Sequence, residues 1–308
     1  SIGASALAGC IQLKSVKLPS AITAIPNSLF DGCKALTSVN IPASVTSIGS
    51  RAFYNCAVFD FAIPAQITKI GSSACYGCNA LTEVSVPEGV TVLETSTFQN
   101  CQNLASVTLH DGITKIGGSV FRNCAKLSAI TLGNKSRTAS VELPSKLTTI
   151  ESYLFQGCTS LTHIELPANV KSIGTYAFEK SGLESIVLND GVTNLGGNCF
   201  NGTKLTEIEL PATVTAVQAN AFANCREGLK VYICAPDALK SIYALSFRLN
   251  SKQPYIYADL VVPAGKAAAL SEKNYWKTSN ITEPAVDCIN YIDDNPVVSD
   301  NATVALST

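Results

Sequence analysis

Apolar and polar positions alternate along this chain in a pattern that keeps returning. Residues 36–56 read LTSVNIPASVTSIGSRAFYNC and residues 104–124 read LASVTLHDGITKIGGSVFRNC. The leading LxxVxI predicts a short strand, with Leu36, Val39 and Ile41 turned inward and Ser38 and Asn40 turned to solvent. Pro42, Pro64, Pro87, Pro144, Pro167 and Pro211 follow such strands, and lacking an N–H they end the ladder. A second apolar pair, Val45 with Ile48 or Ile113 with Ile116, predicts the next side of a coil. Gly49, Gly71, Gly117 and Gly174 suit a bend, and the AFxxC that follows predicts a short helical or 3₁₀ turn with its Phe directed inward.

The period is regular. Cysteines at 10, 33, 56, 78, 101 and 124 are 23, 23, 22, 23 and 23 residues apart, and the same slot later holds Cys158, Ser181, Thr203 and Cys225. One unit cannot bury its own apolar face, whereas stacked units bury a continuous column. The expected fold is an α/β solenoid: a right-handed leucine-rich-repeat superhelix of about ten 22–23-residue units, with a parallel sheet on the concave face and a C-terminal cap. At about 4.8 Å per coil, ten coils extend about 45–50 Å.

Two units break the rhythm. Residues 125–158 run to 34 positions, and the surplus, at about 132–142, predicts a projecting loop or hairpin between the first strand and the second apolar pair. The third unit, CAVFDFAIP, is one residue short just after Ala57. The chain contains no methionine, and a missing one there would restore the register. The expected organisation is a solenoid over 1–234, a capping segment over 235–285, and a linker or the start of a further element over 286–308. Within the cap, residues 235–247 predict a helical segment, 255–262 a strand and 264–275 a helix, with Trp276 as a plug. A cap is required because an open end would expose apolar rows and unpaired backbone.

The unit LTSVxIPxxVTxIGxxAFxxC resembles that of the BspA-like leucine-rich-repeat family, found on surface and secreted proteins of Bacteroides-type anaerobes. The likeness covers residues 1–234 through repeated matches and extends more loosely over 255–284. It implies an extracellular or cell-surface protein that attaches to a host protein, a glycan or another microbe. It carries over no catalytic residue, because the family motif contains none.

Composition narrows the field further. Of 308 residues, 46% are hydrophobic and 15% charged, with a net charge of −1, so a large core is affordable and no basic cluster invites nucleic acid. No apolar run reaches the ~18 residues of a transmembrane segment. The chain begins inside a repeat, so any export signal is expected upstream. It is expected to be monomeric.

Most candidate chemistry dissolves into the repeat. Eight of the twelve cysteines share one slot, where Ser181 and Thr203 also serve, which favours buried free thiols. Cys75 and Cys78 form a CxxC, but Cys75 stands where other units place Phe, and no second CxxC exists for zinc. His110 and His163 are expected at the surface, and no GxSxG, HExxH or phosphate loop is present. The reading is therefore a non-catalytic binding or adhesion module with no cofactor and no metal. Its alternative is a targeting or spacer region of a larger secreted enzyme whose catalytic domain lies outside this chain. The binding candidate is the outward column of the first strands: Lys17, Asn40, Ser85, Thr108, Thr131, His163, Glu165, Glu207 and Glu209. It runs from basic through hydroxyl-rich to acidic, and a protein or glycan partner fits its extended shape.

Overall fold

The computed structural model describes residues 2–57, 62–133, 141–243, 245–250, 256–268 and 280–283. The chain winds as a parallel solenoid of about ten turns with almost no helix. Among the described residues most turns contribute a strand of three or four residues, a strand of two residues, and a run of turns. Stacking makes three columns. In the first, Ser15–Lys17 pairs with Ser38–Asn40, and Glu83–Ser85, Ser106–Leu109 and Ala129–Leu132 pair in series. His163–Glu165 then pairs with Ser185–Val187, and Glu207–Leu210 continues through Lys230–Ile233 and Asp259–Val261 to Asn280–Thr282. The second column repeats pairs such as Thr149–Ile150 on Ser172–Ile173.

The AFxxC stretch is a chain of tight turns and not the helical or 3₁₀ turn its sequence suggested. Within 49–56, the amides of Ala52, Tyr54 and Cys56 donate to the carbonyls of Gly49, Arg51 and Phe53 in their own rung. The intervening amides of Arg51, Phe53 and Asn55 donate to Ser72, Ala74 and Tyr76 of the next rung, at 3.0, 2.8 and 2.7 Å. A helix would consume both sets internally. The alternation requires a left-handed backbone at Arg51 and Asn55, whose φ values are 56° and 55°.

Phenylalanine fills the axis. Phe155, Phe178, Phe200, Phe222 and Phe247 stack in sequence with centroids 5.5–5.8 Å apart. The repeat cysteines close the turn beside them. Each thiol reaches a carbonyl one rung back: Cys56 donates to Phe30, Cys124 to Phe98 and Cys158 to Phe121, at 3.0, 3.1 and 3.1 Å. A small, apolar, weakly donating side chain suits that place. Eleven cysteines are described and all are free. Burial pushes the thiols of Cys56, Cys124 and Cys158 well above the ordinary range, while at Cys75 a hydrogen bond to Cys78 does so first and burial second. Iodoacetamide at mildly alkaline pH is therefore expected to label exposed Cys10 in the native protein and to spare Cys33, Cys56, Cys101, Cys124 and Cys158 until denaturant is added. Mass spectrometry of the labelled peptides checks this, and rapid native labelling of Cys124 would contradict it.

Gly49, Gly71, Gly117 and Gly174 serve close packing more than bending. A Cβ on Gly71 would lie 2.5 Å from the Ser50 nitrogen, and one on Gly174 would lie 2.5 Å from that of Ser152. The backbone of the preceding rung occupies the space.

The surplus of the long unit is also more than a loop. Residues 141–150, VELPSKLTTI, repeat the pattern of residues 39–48, VNIPASVTSI. Val141 bridges Ile130 in parallel, and the Glu142 amide donates to the Ile130 carbonyl at 2.8 Å. The first column thus gains an extra strand position. The turn column does not: Phe121 stacks directly on Phe155 at 5.9 Å, and the Asn123 amide donates to Gln156 at 2.7 Å. The projecting part expected within 132–142 falls mostly at 134–140, outside the described residues, as does the short junction at 58–61.

Beyond Cys225 the ladder persists where the sequence looked irregular. The expected helical segment over 235–247 is instead a 3₁₀ turn at Pro236–Ala238 and the strand Ser241–Ile242, which pairs with Ala216–Val217. Asp259–Val261 is the strand expected near 255–262, whereas of the helix expected over 264–275 only residues 267 and 268 are described as helical. Trp276 lies outside the described residues.

Candidate functional site

The first-strand column sets the expected strip in register. Lys17 lies beside Asn40, and Ser85, Thr108 and Thr131 form one row. His163 stands beside Ser185, with its Nδ1 2.7 Å from the Ser185 hydroxyl, and Glu165 stands beside Val187, a 42% exposed valine. Glu207 neighbours Lys230, and Glu209 neighbours Tyr232. Strand alternation keeps Lys17, Asn40, Ser85, Glu165 and Glu207 exposed while Val84, Val107, Ile130, Ile164 and Ile208 are buried.

The strip is not one unbroken row. The third unit separates Asn40 from Ser85, and the extra strand position at Val141–Leu143 separates Thr131 from Glu165. A cavity of about 360 Å³ opens at that second break, lined by Leu132, Val141, Glu142, Leu143, His163, Glu165, Leu166 and Pro167. Its floor is apolar and its rim carries two carboxylates and the imidazole. The acidic end is moderated as well. Lys230 follows Glu207, and half-buried Glu209 accepts a hydrogen bond from the Cys234 thiol at 3.1 Å. Burial raises the Glu209 carboxyl, outweighing that hydrogen bond.

The family model for BspA type leucine rich repeat regions matches residues 1–128 and 129–253 in six copies. The chain belongs to the BspA-type leucine-rich-repeat family. No curated protein matches it. Among solved structures, a leucine-rich repeat protein from Bacteroides ovatus is 20% identical with a TM-score of 0.54, over 92% of this chain and 87% of that one. The pneumococcal vaccine antigen PcpA is 18% identical with a TM-score of 0.53, over 89% and 80%. A leucine rich cell surface protein from Faecalibacterium prausnitzii is 24% identical, TM-score 0.46; the match spans 91% of this chain and 66% of that one. The first two likenesses, with TM-scores above 0.5, establish the shared fold.

This BspA-type solenoid carries a second set of surface groups that sequence reading passed over. On the turn column Arg51 pairs with Asp31 at 2.7 Å and lies over the Tyr54 ring, which stacks on Tyr76 with centroids 4.4 Å apart. Three rungs on, Arg122 lies 5.1 Å over the Tyr153 ring, and Tyr153 stacks on Tyr176 at 5.0 Å. Aromatic and Arg side chains dominate protein contact sites, and the strip lacks them. The signal was present in the aligned units: Tyr54 and Tyr76 share the position after the inner Phe or Cys, and Tyr153 and Tyr176 share the position two before the inner Phe.

His110 corrects the surface expectation. It is buried, with Nε2 donating to the Val90 carbonyl at 3.0 Å and Nδ1 accepting from the Gly112 amide at 3.2 Å. Both nitrogens are thereby satisfied by backbone, so this imidazole braces the loop. Among the described residues no cluster of His, Cys, Asp or Glu could hold a metal ion, and no helix is long and apolar enough to cross a membrane.

Proposed function

We propose that this chain is a non-catalytic binding or adhesion module of the cell surface or of a secreted protein, and that it engages an extended protein or glycan through the outward face of its first-strand column. The observation that supports this most is the register. Parallel pairing places polar side chains from successive rungs at one strand spacing, so Ser85, Thr108 and Thr131 form a straight row of hydroxyls. A chain-like partner meets repeated equivalent groups there, and the cavity beside His163 and Glu165 gives it one deeper contact. Membership of the BspA-type family supports the surface location.

The test is a binding screen against extracellular-matrix proteins and glycans, repeated with Lys17→Ala, Thr108→Ala, Glu165→Ala and Glu207→Ala combined. All four side chains lie on the outward face, so the fold should persist with little change in melting temperature. Affinity for whatever partner the screen finds is expected to fall at least about tenfold. Unchanged binding would overturn the assignment of the strand face and shift it to the Arg–Tyr stacks of the turn column.

A further inference from the structure

The corner between the turn column and the first strand is uneven in one place. In most units two residues separate the repeat cysteine from the first strand leucine, as in Cys124–Leu127 and Cys158–Leu161. Ser181 and Leu183 are separated only by Gly182, and Thr203 and Leu205 only by Lys204. The next corner is longer, with Arg226, Glu227 and Gly228 between Cys225 and Leu229. Two short corners followed by a long one leave a recess with a raised rim. At the first short corner Gly182 lies so close to the preceding rung that a Cβ there would strike the Thr159 carbonyl.

The result is a cleft of about 630 Å³ lined by Glu184, Thr203, Lys204, Thr206, Asn224, Cys225 and Arg226. That volume suits a small ligand. No aromatic or branched aliphatic side chain lines it, which disfavours an apolar guest. It holds one carboxylate, one ammonium and one guanidinium. The Lys204 ammonium stands 3.8 Å from Glu184, with both side chains more than half exposed. Arg226 has no ion pair among the described residues.

We propose that this cleft binds an acidic sugar, a residue bearing one carboxylate beside several hydroxyls. The excess of one positive charge balances a monoanion, whereas a phosphate-type dianion would crowd its second charge against Glu184. The planar guanidinium of Arg226 matches a carboxylate in a two-pronged contact, and Lys204 reaches the same group as a point charge. Glu184 then accepts from sugar hydroxyls, and Thr206 and Asn224 supply further donors and acceptors. An acidic peptide side chain offers a carboxylate but no adjacent hydroxyls for these groups. The site is distinct from the strand-face strip and stands independently of it.

Titrate the whole chain with galacturonate and glucuronate by NMR or calorimetry at millimolar concentration. Glucose, a sugar phosphate and an acidic peptide serve as comparisons. Saturable binding of at least one uronate is expected, with glucose weaker by at least about tenfold, and a preference between the two uronates identifies the natural source. Arg226→Gln should weaken it about tenfold or more, and Lys204→Gln less. Both side chains are exposed, so an unchanged melting temperature shows that the variants fold. The fourfold strip variant should bind the uronate as the parent does. The proposal is overturned by absence of uronate binding, by equal binding of glucose, the sugar phosphate or the peptide, or by an Arg226→Gln protein that binds normally.

Discussion

Phe178→Ala is expected to lower the unfolding free energy by about 3–5 kcal/mol. The ring is fully buried between Phe155 and Phe200, at 5.5 and 5.7 Å. Its removal takes a large apolar surface from the axis and leaves Phe155 and Phe200 each with only one of their two stacking partners, Phe121 and Phe222. The space is hard to close. The amides of Phe178 and Lys180 hold the next rung at 2.8 and 2.7 Å, so collapse would break backbone hydrogen bonds. Phe98→Ala should follow the same rule with a smaller loss, because Phe98 has Phe121 at 6.3 Å on one side but Cys75 in the opposing slot. Ser106→Ala, on the outward strand face, should stay within about 0.5 kcal/mol. Urea and thermal unfolding followed by circular dichroism order the three variants, and a reversed order would show that the inward and outward faces had been misassigned.

Gly174→Ala is the second large effect, about 1–3 kcal/mol or more. Its Cβ would meet the Ser152 nitrogen, the Glu151 carbon and the Ile150 oxygen at 2.5, 2.8 and 2.9 Å. All three are backbone atoms, which cannot swing aside as a side-chain tip can. Either the rungs part or the turn distorts, and the Gly174 amide bond to Ile150 at 2.7 Å lies in the path of both. Gly3→Ala is the control: nothing lies within 4 Å of its Cβ, so the substitution should be neutral or mildly stabilising. Equal stability of the two variants in urea would remove the close-approach explanation.

These expectations show which features were legible in the sequence. A 22–23-residue period is itself a spatial statement, because residues one period apart must be neighbours. The Phe axis, the cysteine slot and the outward strip could be read from it directly. Features that depend on the next rung's backbone were harder to see. Gly174 looks like a bend residue until Ser152 is placed beneath it. The AFYNC of residues 52–56 looks helical until the Asn55 amide is found bonded to Tyr76. The Arg51–Tyr54–Tyr76 stack was hidden because its members are spread over units whose outer positions otherwise vary freely. His110 was misjudged for a related reason. A histidine after a strand is usually wet, and only the fold brings the Val90 carbonyl to it. In the site itself, the rows are legible but their interruption is not, since Val141 and Glu142 fall in the surplus at about 132–142 and read as the end of an insertion, not as a second strand start.

That second start gives the solenoid something a crystallographer would call an edge dislocation. A lattice with an extra half-plane must bend around the line where the plane ends, and here the extra layer is Val141–Leu143 on one face only. The strand face is longer than the turn face by about one strand spacing, about 4.8 Å, at that point. The extra layer is tied to the preceding rung by Asp111, whose carboxylate accepts from the Ser145 amide and hydroxyl at 2.7 and 2.9 Å. A ligand that touches each rung up to Thr131 must cross the inserted layer of Val141–Leu143 before it reaches Glu165.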